Sequence, residues 1–206
     1  LKQSNYLMGE NNKFEAEKKS KKKKEVMTTF SVPIPINGKG VNRDLSKEQI
    51  VNLAISKHSE GNLAEATKYY QYFLDQGFKD PSVYSNYGVI CRQTGLIEKA
   101  KKLYKKSISL FPDYSEAYSN LGFLLKEQGN IKEAYAYTLK ATKLNPTDAE
   151  TYLNLGGILK DLGRLEEAAD STLKAATLKT DYALAFSNLG GIYNKLGKLD
   201  KAEENT

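Results

Sequence analysis

The chain has 206 residues, 40% of them hydrophobic, a single cysteine and a formal net charge of +6. One cysteine excludes an internal disulfide and a cysteine-based metal site, and no apolar run approaches the ~20 residues of a membrane helix. The cysteine count fits a reducing, cytoplasmic compartment, and no apolar stretch after Leu1 reads as a secretory signal.

The basicity is local. Residues 1–46 carry ten Lys and Arg against five Asp and Glu, whereas the other 160 carry 21 against 20. The pI therefore says little about what the rest of the chain binds. Residues 1–27 are polar, with Lys18, Lys19 and Lys21, Lys22, Lys23 and Lys24 close together. Such charges repel one another and offer no core face, so a disordered basic tail is expected. A nuclear-localisation-like signal, a tether to an anionic surface and a plain solvated tail all fit it. Residues 28–45 differ: Pro33 and Pro35 alternate with Val32, Ile34 and Ile36 after Phe30, followed by Asn37-Gly38. Proline biases its neighbours to extended backbone, so this is an extended linker ending in a turn, able to pack on the array or lie in a groove.

From residue 47 a 34-residue unit recurs in five registers: 47–80, 81–114, 115–148, 149–182 and a partial 183–206. Ser46 and Gln49 form a capping-box signal at the start. The fourth position holds Ile50, Tyr84, Tyr118, Tyr152 and Phe186, and the seventh Leu53, Tyr87, Leu121, Leu155 and Leu189. The eighth is Ala54 and then Gly88, Gly122, Gly156 and Gly190. Positions 4, 7, 8 and 11 share one helical face. Glycine at position 15 (Gly61, Gly95, Gly129, Gly163, Gly197) supplies the left-handed residue that ends this first helix. Positions 20, 24, 27 and 28 make the apolar face of a second helix. Alanine at position 20 is expected to face the small residue at position 8. Pro112 and Pro146, at position 32, end that helix, and Asp80-Pro81 reads as an N-cap followed by proline at the first helical position. Each unit is thus an antiparallel helix pair, and the pairs stack.

These residues resemble the tetratricopeptide repeat over 47–206. The aromatic at 4, Leu-Gly at 7–8, alanine at 20 and 27 and proline at 32 carry the likeness. The resemblance implies an all-α, right-handed superhelical solenoid. The first unit departs most, with Ala54 at position 8 and Phe78 at position 32. The fifth stops at Thr206 inside its second helix, so Ile192, Tyr193 and Leu196 are expected to be incompletely covered. The protein is then expected to continue past Thr206, or the last repeat to fray or pair with another chain, which makes self-association a third possibility beside the two functions below.

No catalytic motif is present: no Gly-x-Ser-x-Gly, no Walker loop, no dinucleotide fingerprint. His58 lacks metal-ligand partners, Cys91 falls in a core position, and Glu166-Glu167 reads as solvated charge. No cofactor or metal is expected, and no active site.

Binding residues stand out instead. In the tetratricopeptide fold, positions 2, 5, 6, 9, 12 and 13 of the first helix point into the concave groove. Here position 6 is Asn52, Asn86, Asn120, Asn154 and Asn188, an identity that the periodicity of the core does not require. A carboxamide matches the N–H and C=O of an extended peptide. Helices packed about 8–10 Å apart would present one such group roughly every third peptide residue. The ladder resembles that of O-linked N-acetylglucosamine transferases, where it holds the backbone of protein substrates. The other reading is that these amides bond to neighbouring helices. Serine at position 5 (Ser85, Ser119, Ser187) and glycine at position 9 (Gly157, Gly191) would widen the groove. Arg92, Lys126 and Lys160, at position 12, form a basic row suited to an acidic segment, or a solvated helix end beside Glu127 and Asp161. Val51 and Ile55 stand where the two-carboxylate clamp of chaperone-binding members needs Lys and Asn. The near-neutral array does not fit nucleic acid. The expected function is a protein-interaction module for an extended peptide. The alternative is the substrate-recognition front of a larger glycosyltransferase or sulfotransferase whose catalytic domain lies beyond Thr206.

Overall fold

The computed structural model describes residues 45–198. The basic segment 1–27, the proline-containing strip at 30–36 and residues 199–206 lie outside the described residues. Within them every regular element is a helix: α1 (Lys47–Ser59), α2 (Leu63–Asp75), α3 (Pro81–Gln93), α4 (Ile97–Leu110), α5 (Ser115–Glu127), α6 (Ile131–Leu144), α7 (Ala149–Asp161), α8 (Leu165–Leu178) and α9 (Ala183–Lys195). Each odd-numbered helix from α1 to α7 packs most closely on the even-numbered one that follows, and α8 also packs on α9. Contacts of α3 with α5 and of α5 with α7 join neighbouring pairs along one layer.

The ends of the helices are set by local chemistry. Ser46 and Gln49 make a complete capping box on α1: the Gln49 backbone N–H donates to Ser46 Oγ, and the Ser46 N–H to Gln49 Oε1. Asp80 caps α3 by accepting from the Ser82 N–H, with Pro81 as the first helical residue. The position-15 glycines, Gly61 to Gly197, have φ between 69° and 78°, a left-handed conformation that closes a helix at small cost only for glycine. In the first unit, where Phe78 replaces proline, Gly77 adopts φ 75° and ends α2.

The core is wider than one helical stripe. Positions 7, 8 and 11 are buried as expected in the inner units, but so are position 3 (Val83, Ala117, Thr151, Ala185) and position 10 (Ile90, Leu124, Ile158, Ile192), each at most 2% exposed. The reason is stacking. A first helix meets its own partner on one side, the second helix of the preceding unit on another, and in the inner units the neighbouring first helices as well, so little more than one side stays open. Tyr118, Tyr152 and Phe186, at position 4, are only partly buried.

The residue facing the position-8 glycine is chiefly that at position 24, not the alanine at 20. A Cβ on Gly122 would sit 2.2 Å from Thr138 Oγ1, and one on Gly88 2.4 Å from a ring carbon of Tyr104. Position 20 contributes its backbone, with Ala134 O at 3.2 Å from such a Cβ on Gly122. The expectation for Ile192 is also corrected. It is 1% exposed, in a cluster with Leu155, Leu159, Ala168 and Leu189, while Tyr193 and Leu196 are partly buried against the same cluster.

Candidate functional site

The five position-6 asparagines stand one each on α1, α3, α5, α7 and α9. Asn52 is exposed, and Asn86, Asn120, Asn154 and Asn188 are half-buried. Asn86 lies close to the Tyr70 hydroxyl and partly offsets the burial that pushes that phenol up to about 12, yet the hydroxyl makes no well-formed hydrogen bond. Asn120 Nδ2 is buried and has no acceptor. Unlike buried amides in general, it makes no hydrogen bond to a neighbouring helix.

Two of the five asparagines converge. Asn120 and Asn154 line a cavity of about 520 Å³ beside α3, α5 and α7, together with Arg92, Phe123, Glu116, Asp148 and Glu150. The cavity does not include Asn52, Asn86 or Asn188. Tyr114 also lines it and donates a hydrogen bond of 2.5 Å to Glu116 Oε2. Burial, together with this carboxylate, holds the Tyr114 phenol far above its usual range.

The basic row at position 12 is largely neutralised. Arg92 pairs with Glu127 of the next unit at 3.1 Å and stacks over Phe123, 4.7 Å from its centroid. Lys126 pairs with Asp161 of the next unit at 3.6 Å. These acids act across the repeat boundary and not within the cation's own helix. Lys160 forms no ion pair among the described residues, because the equivalent residue of the following unit is Lys195.

The small residues expected to widen the groove behave unequally. Ser85 is fully buried, and Ser119 is 8% exposed and accepts a hydrogen bond from Thr151 at 2.8 Å. Both are covered by neighbouring structure, and of this set only Ser187 is exposed. The space beside Gly157 is filled by Lys126, whose Nζ lies 2.7 Å from where a Cβ would stand, whereas Gly191 has open space. Cys91 is buried, and burial pushes its thiol up, as a core residue and not a nucleophile requires. Burial lowers the pKa of His58, which meets Tyr70 edge-on at 6.3 Å.

Sequence reasoning missed Glu116, Asp148, Glu150 and Phe123. The carboxylates look like helix-start residues, and Asp148 does cap α7 by accepting from the Glu150 N–H. Phe123 stands at position 9, which glycine holds in the two units that follow. Among the described residues no group of three or more His, Cys, Asp or Glu side chains is placed to hold a metal ion. None of the described helices is long and apolar enough to cross a membrane.

Family models described as tetratricopeptide repeat match residues 81–114 and, in a second form, 103–136 and 137–169. Among solved structures, MamA from Desulfovibrio magneticus is similar at 21% identity and TM-score 0.66, over 77% of this chain and 90% of that one. A thermophilic tetratricopeptide-repeat protein from Thermus thermophilus is similar at 22% identity and TM-score 0.64, over 78% and 88%. Another MamA crystal structure gives 23%, 0.65, 74% and 90%. No curated protein matches the sequence. At these identities the structures bear on the fold, the right-handed superhelical solenoid.

Proposed function

Because this chain is a tetratricopeptide-repeat protein, we propose that its array is a protein-interaction module that holds an extended peptide along the first helices, with the position-6 carboxamides on the peptide backbone. One observation carries this reading. Asn120 lines, with Asn154, a cavity beside three successive first helices, and its Nδ2 is buried without an acceptor. A buried donor left unmet costs roughly 1–3 kcal/mol, and a peptide carbonyl is the natural group to meet it. The paired state of Arg92 and Lys126 argues against the basic row as the main anchor and leaves Lys160 as its one open cation among the described residues. Backbone-directed amides also fit a ligand chosen by conformation more than by side chains.

The test is Asn120→Ala with Asn154→Ala, measured against a linear peptide selected on the wild-type chain. Each lost hydrogen bond is worth roughly 0.5–1.5 kcal/mol net, so the double variant should bind several-fold to about a hundredfold more weakly with helicity retained by circular dichroism. Unchanged affinity in a folded double variant would refute the ladder.

A further inference from the structure

The cavity beside α3, α5 and α7 carries an unbalanced charge that backbone recognition does not need. Glu116, Asp148 and Glu150 line it against a single cation, Arg92, and that guanidinium is already paired with Glu127. Asp148 caps α7 and Glu116 accepts from Tyr114, whereas Glu150 meets no cation among the described residues. Helix capping does not explain the acids at position 2, because Ser82 and Leu184 occupy it in the units on either side. The three carboxylates do not converge as a chelating set, which disfavours a bare divalent ion. A second, independent feature points to a peptide. Asn120 lines the same cavity while its amide nitrogen is buried and unpartnered, and the terminal torsion is soft enough to turn that group toward a ligand. The volume of about 520 Å³ suits one side chain with its flanking backbone.

We infer that this cavity is a side-chain subsite for a lysine or arginine of the bound peptide, the cation lying against Glu116 and Glu150 while Asn120 and Asn154 hold the adjoining backbone. The inference rests on the proposed peptide-binding function and adds a residue preference to it. A long basic side chain keeps its stem on Phe123 and Tyr114 and brings its charge to the carboxylates. The repeat thus selects one position of a ligand that the ladder otherwise reads without regard to sequence.

The probe is a random linear dodecapeptide display library panned on the full chain. Peptides enriched by the wild type are then tested on Asn120→Ala/Asn154→Ala and on Glu116→Gln/Glu150→Gln. The expected result is one recurrent Lys or Arg, with its replacement by norleucine or the paired Glu→Gln changes each weakening binding by about tenfold, more at low salt than at high salt. Both Gln variants keep an acceptor and the helix, so folding is expected to be unaffected. Enriched peptides that depend on the asparagines but show no basic residue overturn the subsite and leave the ladder standing. Enriched peptides indifferent to the asparagine changes, or no enrichment at all, overturn both.

Discussion

Two glycines separated by one place in the repeat have opposite requirements. At Gly122 an added methyl would meet the Thr138 hydroxyl, which can rotate away, and the Ala134 carbonyl, which cannot. Gly122→Ala should therefore destabilise the array by about 1–3 kcal/mol. Gly191, on α9, has nothing within 4 Å of where an added methyl would stand and no left-handed φ, so Gly191→Ala should stabilise by roughly 0.5–1 kcal/mol through the entropy of the unfolded chain. Urea midpoints of the two variants check both signs, and a matching sign would show that packing at position 8 is not the constraint. Both glycines are visible in the sequence, but only the Thr138 contact separates them. His58 supplies a residue-scale dependence on pH. Its folded pKa lies below the usual 6.5 because burial favours the neutral ring. Its contribution is therefore present above pH 6.5 and is lost as pH falls from there through the lowered folded value. His58→Gln should flatten that part of the stability curve, and an identical curve from pH 7.5 to 5.5 would mean that His58 is not the titrating group.

Between elements, the ion pairs cross repeat boundaries. Arg92 to Glu127 and Lys126 to Asp161 each join a first helix to the next one. Both pairs are partly exposed, so a double-mutant cycle on Arg92→Ala and Glu127→Ala should give a coupling of about 0.2–1 kcal/mol that shrinks in high salt. Zero coupling at low salt would reduce the pair to a chance juxtaposition of side chains. The cap on α3 is worth more: Asp80→Ala should cost about 0.5–2 kcal/mol, read again as a shift in urea midpoint. Helix pairs, caps and left-handed glycines were legible because each follows from local spacing or backbone chemistry. The burial of Ile90, Leu124 and Ile158 was not, because a periodicity argument supposes one covered side and a stacked helix has three. Ser85 and Ser119 misled for the same reason, since a small polar residue looks open until the neighbouring unit is set beside it.

For the array as a whole, packing runs from each helix pair to its neighbours, as in a one-dimensional chain of coupled units. The interior changes along that chain. Tyr70, Phe73 and Tyr104 fill second-helix core positions in the first two units, whereas Thr138, Ala141, Thr172 and Ala175 fill the corresponding positions later. A local lesion should therefore stay local. Hydrogen exchange of Gly122→Ala should lose protection in α5, α6 and the helices touching them more than in α1 and α2, and a uniform loss would contradict nearest-neighbour coupling. The candidate site was half legible at this scale. Asn120 and Asn154 were named by their recurrence, but Glu116, Asp148 and Glu150 do not recur in every unit, and repetition hides what breaks it. The closing glycines have a further consequence. With φ confined to 69–78° at Gly61, Gly95, Gly129, Gly163 and Gly197, every unit closes its first helix through the same backbone turn, so the helix pairs are built alike along the array. One residue inserted at a single such turn would leave the stretches on either side intact and put them out of phase, like a dislocation in a lattice.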